Sequence, residues 1–504
     1  MTTTERLLVE RELVQRHAAA VATLPVRHAD DLFIDGEYRV AAGQDRTPLV
    51  DPATGETWGS VPVAAESDVD AAVDAARRAF PAWRTRTPSD RARLMLAMAD
   101  GIERRASQLR TASTLENGSP VAETGGVAAN AAGILRYFAS LAPELERRDI
   151  RVSPADPTLE TSVHLDPIGV CVLIAPWNFP INLVLIKLAP ALLAGCTVIV
   201  KPAPSTPLSI RAVVDAATEA GIPAGVINLI TGDGAVGDRL VRHPGVDKVA
   251  FTGSTSVGRR VAMACGELLR PVTLELGGKS TAVVLPDADL EQVGAALLRS
   301  CLRNTGQTCF VSARMVVTRE LYDDVVELAA QTVAAAPVGD PLDGATVFGP
   351  VAVAAQRDVV LGYIRSGLQE GARAVTGGDV AAPFEAGWWV TPTVFADVEP
   401  HMRIAREEIF GPVLSILRAE DVEDAVDLAN STEFGLGGVV FGGDEARSFD
   451  VARRIDTGSI GLGFFASNPA APFGGRRDSG LGVEYGVEGL HEYLTPQSVH
   501  RRRR

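Results

Sequence analysis

From Ile168 onward the chain alternates short β-branched runs with helical stretches: IGVCVLIA, a helix to Ala194, CTVIVK, a helix over Arg211 to Ala220, VINLIT, then DKVAFTG and a helix from Val257. Parallel strands need crossover connections, so this alternation predicts βαβ units in an open, doubly wound sheet that binds ligands at the C-terminal strand ends. A second α/β pattern runs from about Thr281 to Gly480. Upstream, SDVDAAVDAARRAFPAW and SDRARLMLAMADGIERRASQL have helical periodicity with Ser or Asp at each start, and amphipathic helices continue to about Ala139 to cover a sheet. FIDGEY and DPATGE, between Leu32 and Pro62, are turn signals in a small lead-in segment. The apolar run Ile181–Val200 has the length of a membrane span, but Lys187, Pro190 and Gly195 break it into a buried helix, a turn and a buried strand.

A chain of 504 residues has room for two or three domains. Its net charge of −15 argues against binding nucleic acid or anionic membrane, both of which want positive surface. The terminal HRRRR is a local exception, expected to be a solvated tail rather than an interface contact or an appended remnant. Five cysteines without a CxxC pair, and a leading MTTTERLLVERELVQRH that reads as an amphipathic helix rather than a signal peptide, point to a reducing compartment, the cytoplasm.

The chemistry centres on CLRNTGQTCF, Cys301 to Phe310. Before it, Leu290, Val293, Leu297 and Cys301 have helical spacing, with Asp287 or Asp289 available as cap and an end near Asn304; after it, ARMVVT reads as a buried strand. Cys309 therefore lies on a short loop between rigid elements, either as a nucleophile or as one more buried apolar cysteine. Glu275, 309 − 275 = 34 residues upstream at the end of the strand-like VTLEL, is either a second reactive group or a buried structural carboxylate. No GxGxxG follows any strand; GSTSVG, Gly253 to Gly258, stands in its place, where Gly253 and Gly258 allow close backbone approach and a helix N-terminus can face a pyrophosphate. Lys201 ends CTVIVK at the ligand edge of the sheet, either to meet ribose hydroxyls or as a surface lysine. The seven histidines show no metal-ligand spacing.

LELGGKS, CLRNTGQTCF, PWNFP (Pro176 to Pro180) and EEIFGPV (Glu407 to Val413) together resemble the aldehyde dehydrogenase superfamily, over about Leu32 to Tyr493. The resemblance implies two doubly wound α/β domains and a small oligomerisation hairpin. Residues 1–145 and 168–278 would bind the dinucleotide, 279–480 would carry the nucleophile, and 146–167 with 481–504 would bridge subunits of a homodimer or homotetramer. It implies NAD(P)-dependent oxidation of an aldehyde to the acid. In that scheme Cys309 attacks the carbonyl, its own N–H and the Asn178 amide hold the oxyanion, and Glu275 activates the water that hydrolyses the thioester. Asn178 is alternatively a pin for the turn before Pro180.

For the cofactor the resemblance implies contacts from Ile174, Pro176, Trp177, Lys201, Gly234, Gly253, Ser254, Gly258 and Leu276, with Glu408 on the nicotinamide ribose and Phe410 against the nicotinamide. NAD is the expected cofactor. Pro204 stands where NAD-selective relatives carry a ribose-binding glutamate, so NADP is not strongly excluded. Phe179, Leu183, Arg303 and Phe465 are the substrate candidates. LRNTGQTC resembles the form in succinate-semialdehyde dehydrogenases, whose arginine pairs with the substrate's distal carboxylate. Their second arginine is matched here by Ile186, so Arg303 is read either as that contact or as a solvent-facing side chain, and the substrate as a broad class of aldehyde. Leu302 replaces the family's phenylalanine and Gly463 its usual asparagine. Rival readings are a binding protein on a retained fold and a cofactor-free cysteine hydrolase.

Overall fold

Runs of Val, Ile and Leu without alternation suit strands covered on both faces, and the computed structural model, which describes residues 3–24, 28–378 and 384–503, places them so. In chain order the elements are α1 (Thr3–Thr23), β1 (Asp31–Ile34), β2 (Glu37–Val40), β3 (Arg46–Val50), β4 (Thr57–Pro62), then α2 (Glu66–Arg84), α3 (Pro88–Glu103), α4 (Ala106–Asn117), α5 (Val121–Thr124), α6 (Val127–Ser140) and α7 (Ala142–Glu146). The hairpin strands β5 (Asp149–Val152) and β6 (Leu159–Pro167) lead into β7 (Val170–Ile174), α8 (Pro180–Ala194), β8 (Thr197–Lys201), α9 (Leu208–Glu219), β9 (Ile227–Leu229), α10 (Gly234–Arg242), β10 (Lys248–Thr252), α11 (Thr255–Glu267) and β11 (Val272–Glu275). Next come β12 (Thr281–Val284), α12 (Leu290–Cys301) and β13 (Arg314–Thr318).

The parallel core of the first sheet runs β9-β8-β7-β10-β11, with β7, β8 and β10 wholly buried. The strand order reverses between β7 and β10, which creates the crevice where such sheets bind ligands. The FIDGEY hairpin is not a separate lead-in segment: Phe33 of β1 pairs with Leu229 of β9, so β1 and β2 extend this sheet. On the opposite edge Gly480–Leu481 pairs antiparallel with β11. The second sheet places β13 and β12 between Val413–Ala419 and Gly438–Phe441, all parallel. In the third, Leu494–Arg502 pairs with β6 over nine residues. The terminal arginines are solvated, as expected, but are not a loose tail: His500 to Arg502 are strand residues, Arg501 and Arg503 pair with Glu160, and Arg502 pairs with Asp156. Arg504 lies outside the described residues.

Helix starts differ in detail from the expectation. Ser67 and Ser89 fall inside the first turns; Thr87 caps α3 by accepting the Asp90 N–H at 3.1 Å, and Asp68 reaches back to the Ala65 N–H at 2.9 Å. Asp289, not Asp287, caps α12. The apolar run Ile181–Val200 is α8 from its second residue, a left-handed Gly195 and most of β8, and among the described residues no helix is long and apolar enough to cross a membrane.

Candidate active site

The helix α12 stops at Cys301, and the chain then turns through three consecutive left-handed residues, Asn304, Thr305 and Gly306. That conformation is costly for side-chain-bearing residues and persists only where surroundings enforce it. Here they do: a Cβ at Gly306 would lie 1.9 Å from the Gly411 carbonyl oxygen, so only glycine lets the cysteine loop close against EEIFGPV. The paired glycines of LELGG act likewise, since a Cβ at Gly277 would strike the Glu408 carboxylate and one at Gly278 the Cys309 carbonyl. Three of the four sequence motifs are thereby drawn together.

Asn178, in the turn from β7 to α8, donates from Nδ2 to the Gln307 carbonyl at 3.0 Å, and its Oδ1 is buried without a partner. Its own carbonyl accepts from Asn117 Nδ2 at 3.2 Å and from Asn304 Nδ2 at 3.3 Å. The PWNFP turn is therefore clamped to α4 and to the cysteine loop, which fixes the Asn178 amide relative to Cys309.

Glu275 ends β11 fully enclosed, with neither carboxyl oxygen in a regular hydrogen bond. Burial lifts its pKa well above the carboxylate range and Glu484 repels it further, offset by Lys187 and the Gly475 N–H. Lys187, the lysine that interrupts the apolar helix α8, bonds Glu484 and the Thr252 hydroxyl at 2.6 Å each. A carboxyl group left buried and unsatisfied is expensive, and the known compensation is work on protons. The Cys309 thiol is also pushed up, by burial first and then by the charges of Glu408 and Glu275.

The cofactor candidates line the C-terminal edge of the first sheet. Ile174 and Lys201 end β7 and β8, Pro176 and Trp177 follow β7, and Gly253 and Ser254 follow β10. Gly258 abuts Leu276, just past Glu275, and Gly234 opens α10, a helix the sequence reading passed over. Lys201 is no surface lysine: it is buried, its pKa falls to about 8 through burial, and its Nζ reaches only the Pro202 carbonyl at 3.3 Å. Ser254 is the N-cap of α11, where its hydroxyl caps no backbone N–H and meets the Ser256 hydroxyl at 3.3 Å. Glu408 is enclosed too, raised to about 7 by burial, with one oxygen on the Gly278 N–H at 3.1 Å. Phe410, left-handed, packs edge-on against Trp177 at 5.3 Å. A buried ammonium bonded to one carbonyl, a serine hydroxyl at a helix N-terminus and a half-satisfied carboxylate are donors and acceptors of the kind a dinucleotide needs.

Among the substrate candidates, Phe179 is the N-cap of α8 and Leu183 lies one turn along it. Phe465 stacks on Phe310, the neighbour of Cys309, at 4.7 Å. Arg303 covers the Phe179 ring at 5.2 Å and donates from Nε to Glu123 at 2.8 Å, so it is neither turned to solvent nor standing free for a carboxylate. Leu302 is buried among Cys301, Leu297 and Phe348, and Gly463 is left-handed with the Gln292 amide where a side chain would lie.

Sequence reasoning missed Glu484, Gln307, Asn117 and Glu123. The one available signal was Lys187, a charge inside an apolar helix that must have a buried partner.

A thiol and a buried carboxyl beside the ligand edge of a doubly wound sheet are the setting of a dinucleotide-dependent enzyme. Residues 39–499 match the aldehyde dehydrogenase family. Geranial dehydrogenase from Castellaniella defragrans is 47% identical over 93% of this chain and 98% of its own length. Aldehyde dehydrogenase C from Pseudomonas syringae, solved as a cysteine-to-alanine mutant with NAD+ and octanal, superposes with a TM-score of 0.90 at 39% identity, covering 94% of this chain and 96% of that one. An NADP-dependent enzyme from E. coli does so with a TM-score of 0.91 at 36% identity, covering 94% and 98%. The chain belongs to the aldehyde dehydrogenase family, and it is an NAD(P)-dependent aldehyde dehydrogenase with the α/β fold of two large sheets.

Proposed function

We propose that Cys309, Glu275 and Asn178 carry the reaction, and that the substrates are uncharged, largely apolar aldehydes of medium length. The observation that carries the residue assignment is Glu275, a buried carboxyl group with both oxygens unspent beside a thiol that its charge also perturbs. Cys309 Sγ gives its proton to solvent water and bonds to the aldehyde carbon as the carbonyl π pair moves onto oxygen, where the Cys309 N–H and the second Asn178 amide hydrogen stabilise the oxyanion. The bound dinucleotide, held by Lys201, Ser254 and Glu408, supplies the hydride acceptor. Glu275 then takes a proton from the water that attacks the resulting thioester, and the acid and the free thiol are released. The apolar character rests on Phe179, Leu183, Ile186 and the stacked Phe310–Phe465 pair, together with the relatives that act on geranial and hold octanal. Both NAD and NADP serve, because Pro204 carries no charge to repel a 2′-phosphate.

The same reading divides the chain into a dinucleotide-binding unit (1–145 and 168–278), a catalytic unit (279–480) and a bridging unit (146–167 and 481–504), assembled as a homodimer or homotetramer in the cytoplasm. The test of the chemistry is a pair of variants. Cys309→Ala is expected to abolish aldehyde oxidation, and Glu275→Gln to release a single burst of NADH per site and then stall as the thioester. Steady turnover by Cys309→Ala refutes the assignment.

A further inference from the structure

Behind the PWNFP turn, Ser113 Oγ, Ser119 Oγ, Asn178 Oδ1 and Asn182 Oδ1 are buried and make no hydrogen bond with the protein. All four residues line one chamber of about 20 Å³, whose walls also include Phe179 and Arg303. Ser113 lies one turn before Asn117 on the same face of α4, and Ser119 follows two residues after it. Asn117 is fully engaged here. Its Oδ1 accepts from the Ser119 N–H at 3.0 Å, while its Nδ2 donates to the Trp177 and Asn178 carbonyls at 2.9 and 3.2 Å. The end of α4 is thus held against the turn that carries Asn178, and Asn182 lines the chamber from the first turn of α8.

The chemistry of the walls selects the occupant. A cation is disfavoured by the Arg303 guanidinium, and an anion by two amide oxygens that can only accept. A neutral water fits on both counts. The chamber exceeds the roughly 10–15 Å³ that one buried water needs, and two to four polar partners are what such a water takes. A single water there accepts from the Ser113 and Ser119 hydroxyls and donates to Asn178 Oδ1 and Asn182 Oδ1. That uses both its lone pairs and both its hydrogens, and leaves none of the four protein oxygens unpaired.

The consequence falls on Asn178. Its amide is nearly symmetric in shape, and a half-turn would exchange donor for acceptor where the oxyanion forms. Two contacts oppose that turn: the Gln307 carbonyl, which takes one amide hydrogen at 3.0 Å, and a water hydrogen aimed at Oδ1. Donation to Oδ1 also polarises the amide and strengthens its remaining N–H as a donor. We propose that Ser113 and Ser119 are positioning residues of the oxyanion site: with Asn182 they seat one water that donates to Asn178 Oδ1 and fixes the amide with its free N–H toward the reacting carbonyl. This rests on the assignment of the Asn178 amide to the oxyanion.

The experiment measures the first-turnover rate of NADH formation from octanal in the wild type, Ser113→Ala, Ser119→Ala and the double serine variant, and in the same set carrying Asn178→Ala. The expected result is a fall of about tenfold in the double serine variant, a fraction of what loss of a whole oxyanion donor costs. KM should move by less than about twofold, the pattern of an interaction realised in the transition state. On the Asn178→Ala background the serine changes have nothing to act through, and the rate should no longer respond to them. A high-resolution crystal structure should show one water within hydrogen-bond distance of Asn178 Oδ1 in the wild type and none there in the double serine variant. An unmoved rate in the double serine variant, a loss carried by KM, a fall that persists on the Asn178→Ala background, or a dry chamber in the wild-type crystal overturns the proposal. The single variants keep the comparison readable if the double one fails to fold. If Asn178→Ala alone leaves the rate intact, the oxyanion assignment in the proposed function is refuted instead.

Discussion

Partial burial raises the pKa of the Cys309 thiol, and the charges of Glu408 and Glu275 oppose its ionisation further. Alkylation of the free enzyme by iodoacetamide is therefore expected to accelerate only toward alkaline pH. Glu408→Gln removes the larger of the two opposing charges, and the alkaline limb should move to lower pH by about half a unit to one unit, the size of effect expected from one nearby charge. An unmoved limb in that variant would show that burial alone sets the thiol. Local pattern placed Cys309 on a helix-to-strand loop and Glu275 at a strand end, as the structure has them, but left each between a reactive and a structural role that only the resemblance of their motifs resolved. Glu123 and Glu484 were not, since their partners Arg303 and Lys187 lie 180 and 297 residues away. Charge pairing at such separations is decided by topology and leaves no trace in local spacing.

At the scale of elements, α1 was legible as a helix, but nothing in its pattern says what docks it. The structure does: His17 is buried with Nδ1 2.5 Å from Asp51 and Nε2 3.0 Å from Asp340. Burial alone would lower its pKa, but the bonds and charges of Asp340 and Asp51 outweigh burial and raise it to about 9 from an ordinary 6.5. A folded-state pKa above the unfolded value means that the docked helix binds the extra proton. The stabilisation is thus complete below about pH 6.5 and is lost as pH rises to 9, amounting to about 3 kcal/mol over that window. Hydrogen exchange of the α1 amides, corrected for intrinsic rate, should report falling protection between those limits, and His17→Gln should flatten the dependence. Protection independent of pH in the wild type would mean the cluster does not hold the helix. The helix α10 escaped the sequence reading for a related reason: GDGAVGDRLVR is rich in glycine and charge, and its start is set by Asp233, whose side chain accepts from the Ala235 and Val236 N–H groups.

At the scale of the whole molecule, both large sheets could be read from strand–helix alternation, whereas the third came only through the family resemblance, because β6 and the terminal strand lie far apart in the chain and carry polar sequence. Leu494–Arg502 pairs along β6, yet only Leu494 is buried, and Ile150, Val152, Leu165 and Val499 stand exposed on the same three strands. A thin sheet with exposed apolar residues and little burial of its own is marginal in water and gains stability when another surface covers it. The bridging role proposed for this unit supplies that surface. Deleting residues 495–504 would leave the β6 edge unpaired and strip Glu160 of Arg501 and Arg503, while leaving Cys309, Glu275 and the cofactor edge of the first sheet untouched in sequence. The truncated protein is expected to elute in a smaller assembly than the wild type by size exclusion with light scattering, and to melt several degrees lower, as loss of an interface requires when assembly and folding are linked. If the wild type is oligomeric and the truncation changes neither its mass nor its melting temperature, this sheet is not the assembly surface.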